Sequence, residues 1–285
     1  MSSCVLQVNR VCKSFGKNEI LRDIDLSIGK CEVYGLIGQN GAGKTTLLRV
    51  ISGLMKPTNG TVSIKVPIIG YMPQSCRFDD GNTVRETICM FAKLRNSESK
   101  ESIILCERLH LDPTKKVRHL SPGQQKKMQI ILAMIGNPEF YILDEPTAGL
   151  DPSATYEMKS MIKELHIMGK SILISSHILQ DMDEICTNIA ILEKGRLTYN
   201  HELTNYYIVK TSPIAKDVLQ TLTANHSIYA NEDGTTITVQ MEKEQVPEFI
   251  EKLSGMHIKI YEVTVSNMKN LVKEKLHIGE EVQHP

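Results

Sequence analysis

The chain has 285 residues, enough for one large domain and a second, small one. Hydrophobic residues make up 41% of the chain and charged residues 23%, which is the composition of a globular protein with a packed core. Basic and acidic residues number 33 each, so the formal net charge is zero, and this balance argues against nucleic acid as the main partner.

Two further classes of protein are disfavoured by the residue pattern. The seven cysteines are odd in number and form no CxxC pair, so we expect reduced thiols and neither a disulfide framework nor a metal site. No signal-peptide pattern opens the chain, and no apolar stretch approaches the ~20 residues that span a bilayer. We therefore expect a cytoplasmic protein whose membrane function, if it has one, depends on a separate partner.

Two parts of the chain differ in pattern, and we predict an α/β domain over residues 1–204 and a small α+β appendage over residues 205–285. In the first part, strand-like segments over residues 4–8, 20–28 and 32–37 precede a glycine-rich loop. Apolar residues with helical spacing follow this loop, namely Leu47, Leu48, Ile51 and Leu54.

Helix-start signals mark the later segments of the first part. Thr83 opens a capping-box pattern, and a further helix is predicted over residues 102–109. Ser121 and Asp151 each precede a proline, which places a capping side chain before proline at the first helical position. The helix after Asp151 has one predicted apolar face, formed by Met158, Met161, Ile162 and Leu165.

The appendage is predicted to fold as a small βαββαβ sandwich. A strand over residues 206–210 and a helix starting at Ser212 come first. The dipeptide Asp233-Gly234 is a hairpin-turn signal, and a second helix follows this hairpin. A strand over residues 257–265 and a helix capped by Ser266 complete the pattern.

The strongest chemical signal is the segment over residues 38–45, which fits the pattern GxxxxGK[ST] between a strand and a helix. Glycines allow the backbone N–H groups to wrap around phosphate, and the helix N-terminus adds partial positive charge. Lys44 would neutralise the β- and γ-phosphates, and Thr45 would bind Mg²⁺. The predicted nucleotide-binding residues of this loop are Gly38, Gln39, Asn40, Gly41, Ala42, Gly43, Lys44, Thr45 and Thr46.

A second signal is a pair of carboxylates after a buried strand. Four apolar residues, 140–143, are followed by Asp144 and Glu145. Asp144 suits the Mg²⁺ shell, and Glu145 suits orienting and deprotonating a water molecule. Such a strand end is common by itself, but next to the glycine-rich loop it indicates ATP hydrolysis.

A third signal indicates a family. Residues 120–125, Leu-Ser-Pro-Gly-Gln-Gln, closely resemble the LSGGQ signature of ABC ATPases. Gln74 resembles the Q-loop glutamine of that family, residues 145–151 resemble the segment from the catalytic glutamate to the D-loop, and His177 resembles the switch histidine. Phe15 lies where the family has an aromatic residue that stacks on adenine. The motifs follow one another in the family's order over residues 1 to about 200.

The resemblance implies an α/β P-loop NTPase of the ABC ATPase type, with a mixed central sheet, an antiparallel β-region and a helical subdomain. It implies an ATP-binding and ATP-hydrolysing subunit that powers transport, in the direction of export, through a separate membrane permease. It also implies that two copies dimerise head to tail, with Ser121, Gly123 and Gln124 of one copy completing the ATP site of the other. The implied catalytic residues are Lys44, Gln74, Glu145 and His177, and the implied Mg²⁺ ligands are Thr45, Gln74 and Asp144.

Two departures from the family pattern are visible. Pro122 replaces a glycine of the signature, but proline is compatible with the first position of a helix, and we expect function to survive. We expect Ser121 and the amides of Gly123 and Gln124 to face phosphate. The span between Lys44 and Gln74 is short, which predicts a trimmed antiparallel β-region.

Two other functions are alternatives to transport. A soluble ABC ATPase acting on nucleic acid or the ribosome typically has a coiled-coil insertion or two ATPase domains. The stretch between Gln74 and Leu120 is too short for a long coiled coil, and each motif occurs once. A regulatory nucleotide-binding module without turnover is disfavoured because both Glu145 and His177 are present.

Overall fold

The computed structural model describes residues 4–76, 78, 81–178, 182, 185–202, 206–215, 218–219, 222, 228–231, 233–241 and 243–266. The chain consists of two compact units, residues 1–202 and residues 203–285. All seven cysteines lie in these ranges and form no disulfide there, and Cys106 alone among them is buried. None of the helices in these ranges is long and apolar enough to cross a bilayer.

The larger unit alternates strands and helices. Its strands are β1 (Cys4–Phe15), β2 (Asn18–Gly29), β3 (Val33–Ile37), β4 (Asn59–Ile64), β5 (Ile69–Met72), β6 (Phe140–Asp144), β7 (Ser171–Ser176), β8 (Asn188–Glu193) and β9 (Arg196–Glu202). Its helices are α1 (Lys44–Ile51), α2 (Val84–Leu94), α3 (Lys100–Arg108), α4 (Pro122–Met134) and α5 (Pro152–Ile167).

Two sheets organise the strands of this unit. An antiparallel sheet has the order β2-β1-β4, and a six-stranded sheet has the order β5-β6-β7-β3-β8-β9. Neighbours in the six-stranded sheet are parallel, apart from the antiparallel pair β8 and β9. The predicted mixed central sheet and the separate antiparallel β-region are therefore confirmed.

The three strands β3, β6 and β7 are buried along their whole length. Parallel strands covered on both faces are typically continuous apolar runs, and their sequences VYGLI, FYILD and SILISS follow this rule up to the polar ends. Because the carboxyl ends of parallel strands share one edge of the sheet, the segments that follow β3, β6 and β7 lie close together.

Helix α1 connects the two sheets through one apolar face. Leu47, Leu48 and Ile51 are completely or almost completely buried in a core shared with β1, β2, β3 and β6. The prediction that Leu54 belongs to this face is wrong, because the helix ends at Ile51 and Leu54 is 67% exposed. Gly53, with a φ of 78°, follows the helix in the left-handed conformation typical of helix ends.

The predicted helix starts agree with the structure. Thr83 and Ser121 each begin a helix with a complete capping box, and the Asp151 side chain accepts a hydrogen bond from the third amide of α5. Helix α3 starts at Lys100, two residues before the predicted position. The predicted apolar face of α5 is buried, as shown by Met158, Met161, Ile162 and Leu165.

The small unit is an antiparallel α+β fold, as predicted. Its strands β10 (Tyr206–Thr211), β11 (Ile228–Ala230), β12 (Thr236–Gln240) and β13 (Ile260–Ser266) form a sheet with the order β11-β12-β10-β13. Helix α6 (Val246–Gly255) packs Phe249 and Leu253 into the unit's own core. The hairpin predicted at Asp233-Gly234 connects β11 and β12.

Two predictions for the small unit need correction. The helix predicted from Ser212 does not include residues 213–215, which form an irregular segment in which Ile214 N donates to Gly234 O at 3.0 Å. Val218, Leu219 and Leu222 are helical as predicted, so only the start is wrong. The strand predicted from residue 257 begins at Ile260, because His257 ends the turn after α6 with a φ of 59°. The helix predicted after Ser266 lies outside the described residues.

Candidate active site

The loop between β3 and α1 presents backbone amides at the start of a helix. Gly43 precedes α1 with a φ of 108°, and none of the described side chains caps this helix. A Cβ at Gly43 would lie 3.2 Å from the carbonyl oxygen of Ile20, so a larger residue would be both strained and crowded. The first-turn N–H groups, which have no partner within a helix, are therefore available to an anion such as phosphate.

Lys44 connects this loop to the carboxylates at the end of β6. Its side chain is 5% exposed, and Nζ donates to Gly38 O at 2.6 Å and to Gln39 O at 3.2 Å. Nζ also lies 3.3 Å from Glu145 Oε1. The ammonium group is thus held above the loop at which phosphate oxygens would gather.

The two adjacent carboxylates have different surroundings. Asp144 is fully buried; its Oδ1 accepts a hydrogen bond from Ser175 Oγ at 2.7 Å, and its Oδ2 has no partner among the described residues. Glu145 is 5% exposed, with Oε1 facing Lys44 and Oε2 lying 3.1 Å from His177 Nδ1. Asp144 therefore keeps an oxygen suited to a cation, whereas both oxygens of Glu145 face nitrogen groups.

The backbone of Glu145 adopts an unusual conformation. Its φ is 48°, in the left-handed region that a non-glycine residue rarely adopts. Its N–H donates to Ser175 Oγ at 2.9 Å, and its carbonyl accepts from Lys126 Nζ at 3.0 Å. Hydrogen bonds on both sides of the residue hold this strained backbone in place.

Burial and charge shift two pKa values near this edge of the sheet. Burial raises the pKa of Tyr71, and the negative charge of Asp144 acts in the same direction. Burial lowers the pKa of Lys126, whereas the charges of Asp144 and Glu145 act in the opposite direction.

Gln74 follows the end of β5, the strand next to β6. Its side chain is exposed, and its backbone carbonyl accepts a hydrogen bond from Lys126 Nζ at 2.9 Å. Phe15, at the end of β1, is 50% exposed, and the ammonium of Lys13 lies 5.0 Å from its ring centroid. An exposed aromatic ring is suited to stacking on a base. The contact of Phe15 with adenine stays a prediction.

The signature residues do not meet the glycine-rich loop within one chain. Among the described residues, no hydrogen bond or ion pair joins Ser121, Gly123 or Gln124 to residues 38–46. Instead, Ser121 Oγ accepts from Gln124 N at 3.3 Å, and Gln124 Oε1 accepts from Ser121 N at 3.1 Å. The backbone N–H of Gln124 is thus bonded to the capping hydroxyl of Ser121 within its own chain. Its predicted contact with phosphate stays a prediction.

Two residues of this site were missed from the sequence. Ser175 bonds to Asp144 and Glu145, and a serine at the end of an otherwise apolar strand is a signal that could have indicated it. Lys126 connects Gln74 and Glu145, but a lysine followed by Lys127 in a helix gives the same pattern as an exposed surface.

Comparisons with known proteins agree with this geometry. The family model described as ABC transporter matches residues 21–148. The uncharacterised ABC transporter ATP-binding protein YdbJ of Bacillus subtilis is 30% identical over 93% of this chain and 92% of its own length. The Nod factor export ATP-binding protein I of Rhizobium meliloti is 31% identical over 68% of this chain and 63% of its own length.

A solved dimeric structure of a bacterial ABC transporter cassette has the same fold, with a TM-score of 0.65, 22% identity, and coverage of 70% of this chain and 98% of that chain. A mostly parallel sheet, a glycine-rich loop after β3 and adjacent carboxylates at the end of β6 together define the fold of a P-loop NTPase. More specifically, the chain belongs to the ABC transporter ATP-binding proteins, a family of ATPases.

Proposed function

We propose that the chain is the ATP-hydrolysing subunit of an ABC exporter that drives transport through a separate membrane permease. The observation that carries this proposal is the meeting of Lys44, Glu145 and His177 at one edge of the sheet, with Lys44 at 3.3 Å and His177 at 3.1 Å from opposite oxygens of Glu145. A cation that neutralises phosphate charge and a carboxylate that accepts a proton from water are suited to phosphoryl transfer to water, and the imidazole is placed to orient that carboxylate.

The residues have separable roles in this reaction. The amides of residues 38–46 bind the phosphates, and Lys44 neutralises charge on the β- and γ-phosphates. Glu145 orients a water molecule and accepts its proton while the oxygen attacks the γ-phosphorus and the bond to the β–γ bridging oxygen breaks. His177 Nδ1 forms a hydrogen bond with Glu145 Oε2 and thereby orients the carboxylate. His177 also contributes to positioning the γ-phosphate.

The residues also fit a magnesium ion. Asp144 Oδ2 is buried and has no hydrogen-bond partner among the described residues, which is the condition expected of a carboxylate that receives a cation. Thr45, in the first turn of α1, and Gln74, after β5, would supply further oxygen ligands. When bound, Mg²⁺ neutralises charge on the β- and γ-phosphate oxygens.

A second copy of the chain completes the site. Ser121 caps α4, and Gly123 and Gln124 lie in its first turn. Within the described residues, these three form no hydrogen bond or ion pair with the glycine-rich loop of their own chain. A partner copy turned head to tail would bring its signature to this loop and enclose ATP. The related cassette that was solved as a dimer supports a homodimer.

The permease is the second partner. We place its docking near Gln74 and over α2 and α3, where Met90 is 44% exposed, Leu94 74% and Ile104 54%. Large apolar side chains on one exposed subdomain are typical of a protein contact. The relative named for Nod factor export supports the direction of transport. The chain would then lie at the cytoplasmic face of the membrane.

The test combines hydrolysis with location in the cell. Purified full-length chain should release phosphate from ATP with Mg²⁺ but not with chelator, and Glu145→Gln should abolish the release. The tagged chain should float with membranes only when the permease is co-expressed, and inside-out vesicles should accumulate substrate with ATP. Sedimentation with ribosomes or nucleic acid in place of membranes would favour the soluble alternative.

A further inference from the structure

Lys126 is a buried lysine within the first two turns of α4. Its side chain is 9% exposed, although a buried ammonium group is costly unless it has acceptors. Nζ donates to Gln74 O at 2.9 Å and to Glu145 O at 3.0 Å. Both acceptors are backbone carbonyls of segments at the proposed active site, and they lie far apart from each other in sequence.

These two carbonyls follow neighbouring parallel strands. Strands β5 and β6 are paired up to Met72 and Leu143, after which Gln74 and Glu145 leave the sheet as loops. Beyond the last sheet pair, Lys126 connects the two loops through one ammonium group. The distance between the Gln74 and Glu145 backbones is therefore set by a residue that belongs to neither strand.

The bond to Glu145 also supports a strained backbone. With its φ at 48°, Glu145 pays a conformational cost of about 1–3 kcal/mol, which persists only where surrounding contacts fix it. Ser175 Oγ holds its N–H, and Lys126 holds its carbonyl. This backbone directs the carboxylate between Lys44 and His177, so that a small rotation of the peptide would displace both carboxylate oxygens.

We propose that Lys126 is a positioning residue for ATP hydrolysis. It fixes the position of the Glu145 carboxylate relative to the loop that contains Gln74. This inference rests on the proposed role of Glu145 in hydrolysis. Lys126 does not touch the phosphates; it acts through the two backbone carbonyls. Because Ser121 caps α4 and Pro122 begins it, the helix that follows the signature serine also carries this connection to the proposed catalytic carboxylate.

Lys127, the next residue, provides a matched control. Its Nζ donates to Leu109 O at 3.0 Å and lies 2.5 Å from Glu157 Oε2, so it also joins α4 to its surroundings by a carbonyl and an ion pair. Neither of these partners belongs to the proposed active site. A general loss of helix packing would affect both lysines, whereas a loss of positioning would affect Lys126 alone.

The experiment compares Lys126→Met, Lys126→Arg and Lys127→Met in the full-length chain. Methionine retains much of the side-chain volume without donors, and arginine retains charge and donors. We expect Lys126→Met to lower kcat by about 10- to 100-fold while KM for ATP changes by less than about threefold, because displaced groups affect the transition state more than ground-state binding. Lys126→Arg should recover part of kcat, and Lys127→Met should retain it.

Hydrogen exchange followed by mass spectrometry provides a readout that does not depend on hydrolysis. Lys126→Met should raise exchange in peptides that cover residues 73–76 and 145–148, with β3 unchanged. If Lys126→Met is insoluble, Lys126→Gln carries the same expectations, since its shorter amide cannot bridge both carbonyls.

Unchanged exchange in both segments, or an equal fall of kcat in Lys126→Met and Lys127→Met, would overturn the role of Lys126. A wild-type chain that binds ATP but never hydrolyses it would instead overturn the proposed function, while the exchange result would still report on the connection.

Discussion

Asp144 and Glu145 are adjacent, yet their contacts separate their roles. Neither carboxylate oxygen of Asp144 accepts a hydrogen bond from a lysine or histidine among the described residues: Oδ1 accepts from Ser175 Oγ, and Oδ2 has no partner there. Glu145 is instead held between Lys44 and His177. The environment of each carboxylate, more than its residue type, therefore supports the proposal that Asp144 receives the cation and Glu145 the water.

This division leads to contrasting variants. Glu145→Gln retains shape but cannot accept a proton, so ATP binding should persist while kcat falls by about 10²–10⁴-fold. Lys44→Ala removes a charged phosphate contact and should weaken ATP binding by about 10- to 100-fold. Binding is measured with a fluorescent ATP analogue and turnover by phosphate release. The Glu145→Gln protein should also accumulate as an ATP-bound dimer in size-exclusion chromatography.

Thermal unfolding of both variants is the necessary control, because Lys44→Ala leaves the buried Glu145 carboxylate without its nearest cation. Turnover near the wild-type rate in folded Glu145→Gln protein would show that another residue accepts the proton. ATP affinity unchanged in folded Lys44→Ala protein would contradict the role of Lys44 in phosphate binding.

Ser175 should matter to both stability and hydrolysis. Ser175→Ala removes the donor to Asp144 Oδ1 and the acceptor of Glu145 N–H, so we expect a loss of about 1–3 kcal/mol in unfolding free energy together with a fall in kcat. Ser171→Ala is the matched control on the same strand. Its hydroxyl donates to Gly29 O and accepts from Cys31 N at the other end of β7. Denaturant unfolding and phosphate release measure the two effects, and equal kcat values for the two variants would contradict a special role of Ser175.

Among single residues, those in loops with a fixed pattern could be assigned from the sequence, and those that act through tertiary contacts could not. The sequence predicted one site for Lys44 and Glu145 because their neighbours form recognisable segments, and the structure brings the two side chains within 3.3 Å of each other. Lys126 was missed because its acceptors, Gln74 O and Glu145 O, come from loops far away in sequence. The spacing of apolar residues in a helix shows which face is apolar. It does not show which lysine donates hydrogen bonds to backbone carbonyls of other segments.

At the scale of elements, the start of α4 shows how a substitution in the signature is accommodated. Ser121 has a φ of −64° and a ψ of 161°, an extended conformation that the residue before a proline favours. Pro122 then occupies the first helical position, where its missing N–H costs nothing. The capping box between Ser121 and Gln124 forms with proline in place, so proline and cap favour the same backbone.

We therefore expect Pro122→Gly to retain ATPase activity and to lower the unfolding free energy by about 0.4–1 kcal/mol, since glycine frees the unfolded chain. Ser121→Arg should abolish activity, because it removes the cap and fills the surface proposed to face the partner's phosphates. Denaturant unfolding and phosphate release measure the two effects. Loss of activity in Pro122→Gly as complete as in Ser121→Arg would show that the proline itself is needed.

Local chemistry explains which elements could be predicted. The caps at Thr83, Ser121 and Asp151 each depend on a side chain and an amide three residues later, so the sequence contains the whole interaction. Leu54 fitted the helical spacing but lies beyond the end of α1. The spacing alone does not show where a helix stops, and Gly53 was the local signal for that end.

At the scale of the whole molecule, all the proposed functional residues lie in the larger of the two units. The residues proposed to bind ATP or magnesium, and those of the signature, lie between Phe15 and His177, within the unit of residues 1–202. Residues 203–285 contain a separate core, in which Tyr207, Val209 and Phe249 pack with other apolar side chains. Within the described residues of that unit, no cluster of metal-binding side chains is present.

We predict that the second unit is separable from hydrolysis. The truncation should end after Glu202, because β9 pairs with β8 up to that residue and cutting earlier would expose the edge of the central sheet. Purified residues 1–202 should retain the circular dichroism of a folded α/β protein, ATP binding, and Mg²⁺-dependent hydrolysis within about threefold of the full-length rate, since the truncation removes no group proposed to act in hydrolysis.

Transport in cells can still be lost, because the appendage is free to serve in dimer contacts or regulation without touching phosphate. The full-length chain and its Glu145→Gln variant set the upper and lower limits of the assay. A folded truncation that binds ATP but does not hydrolyse it, with or without the permease, would place residues 203–285 within the catalytic unit.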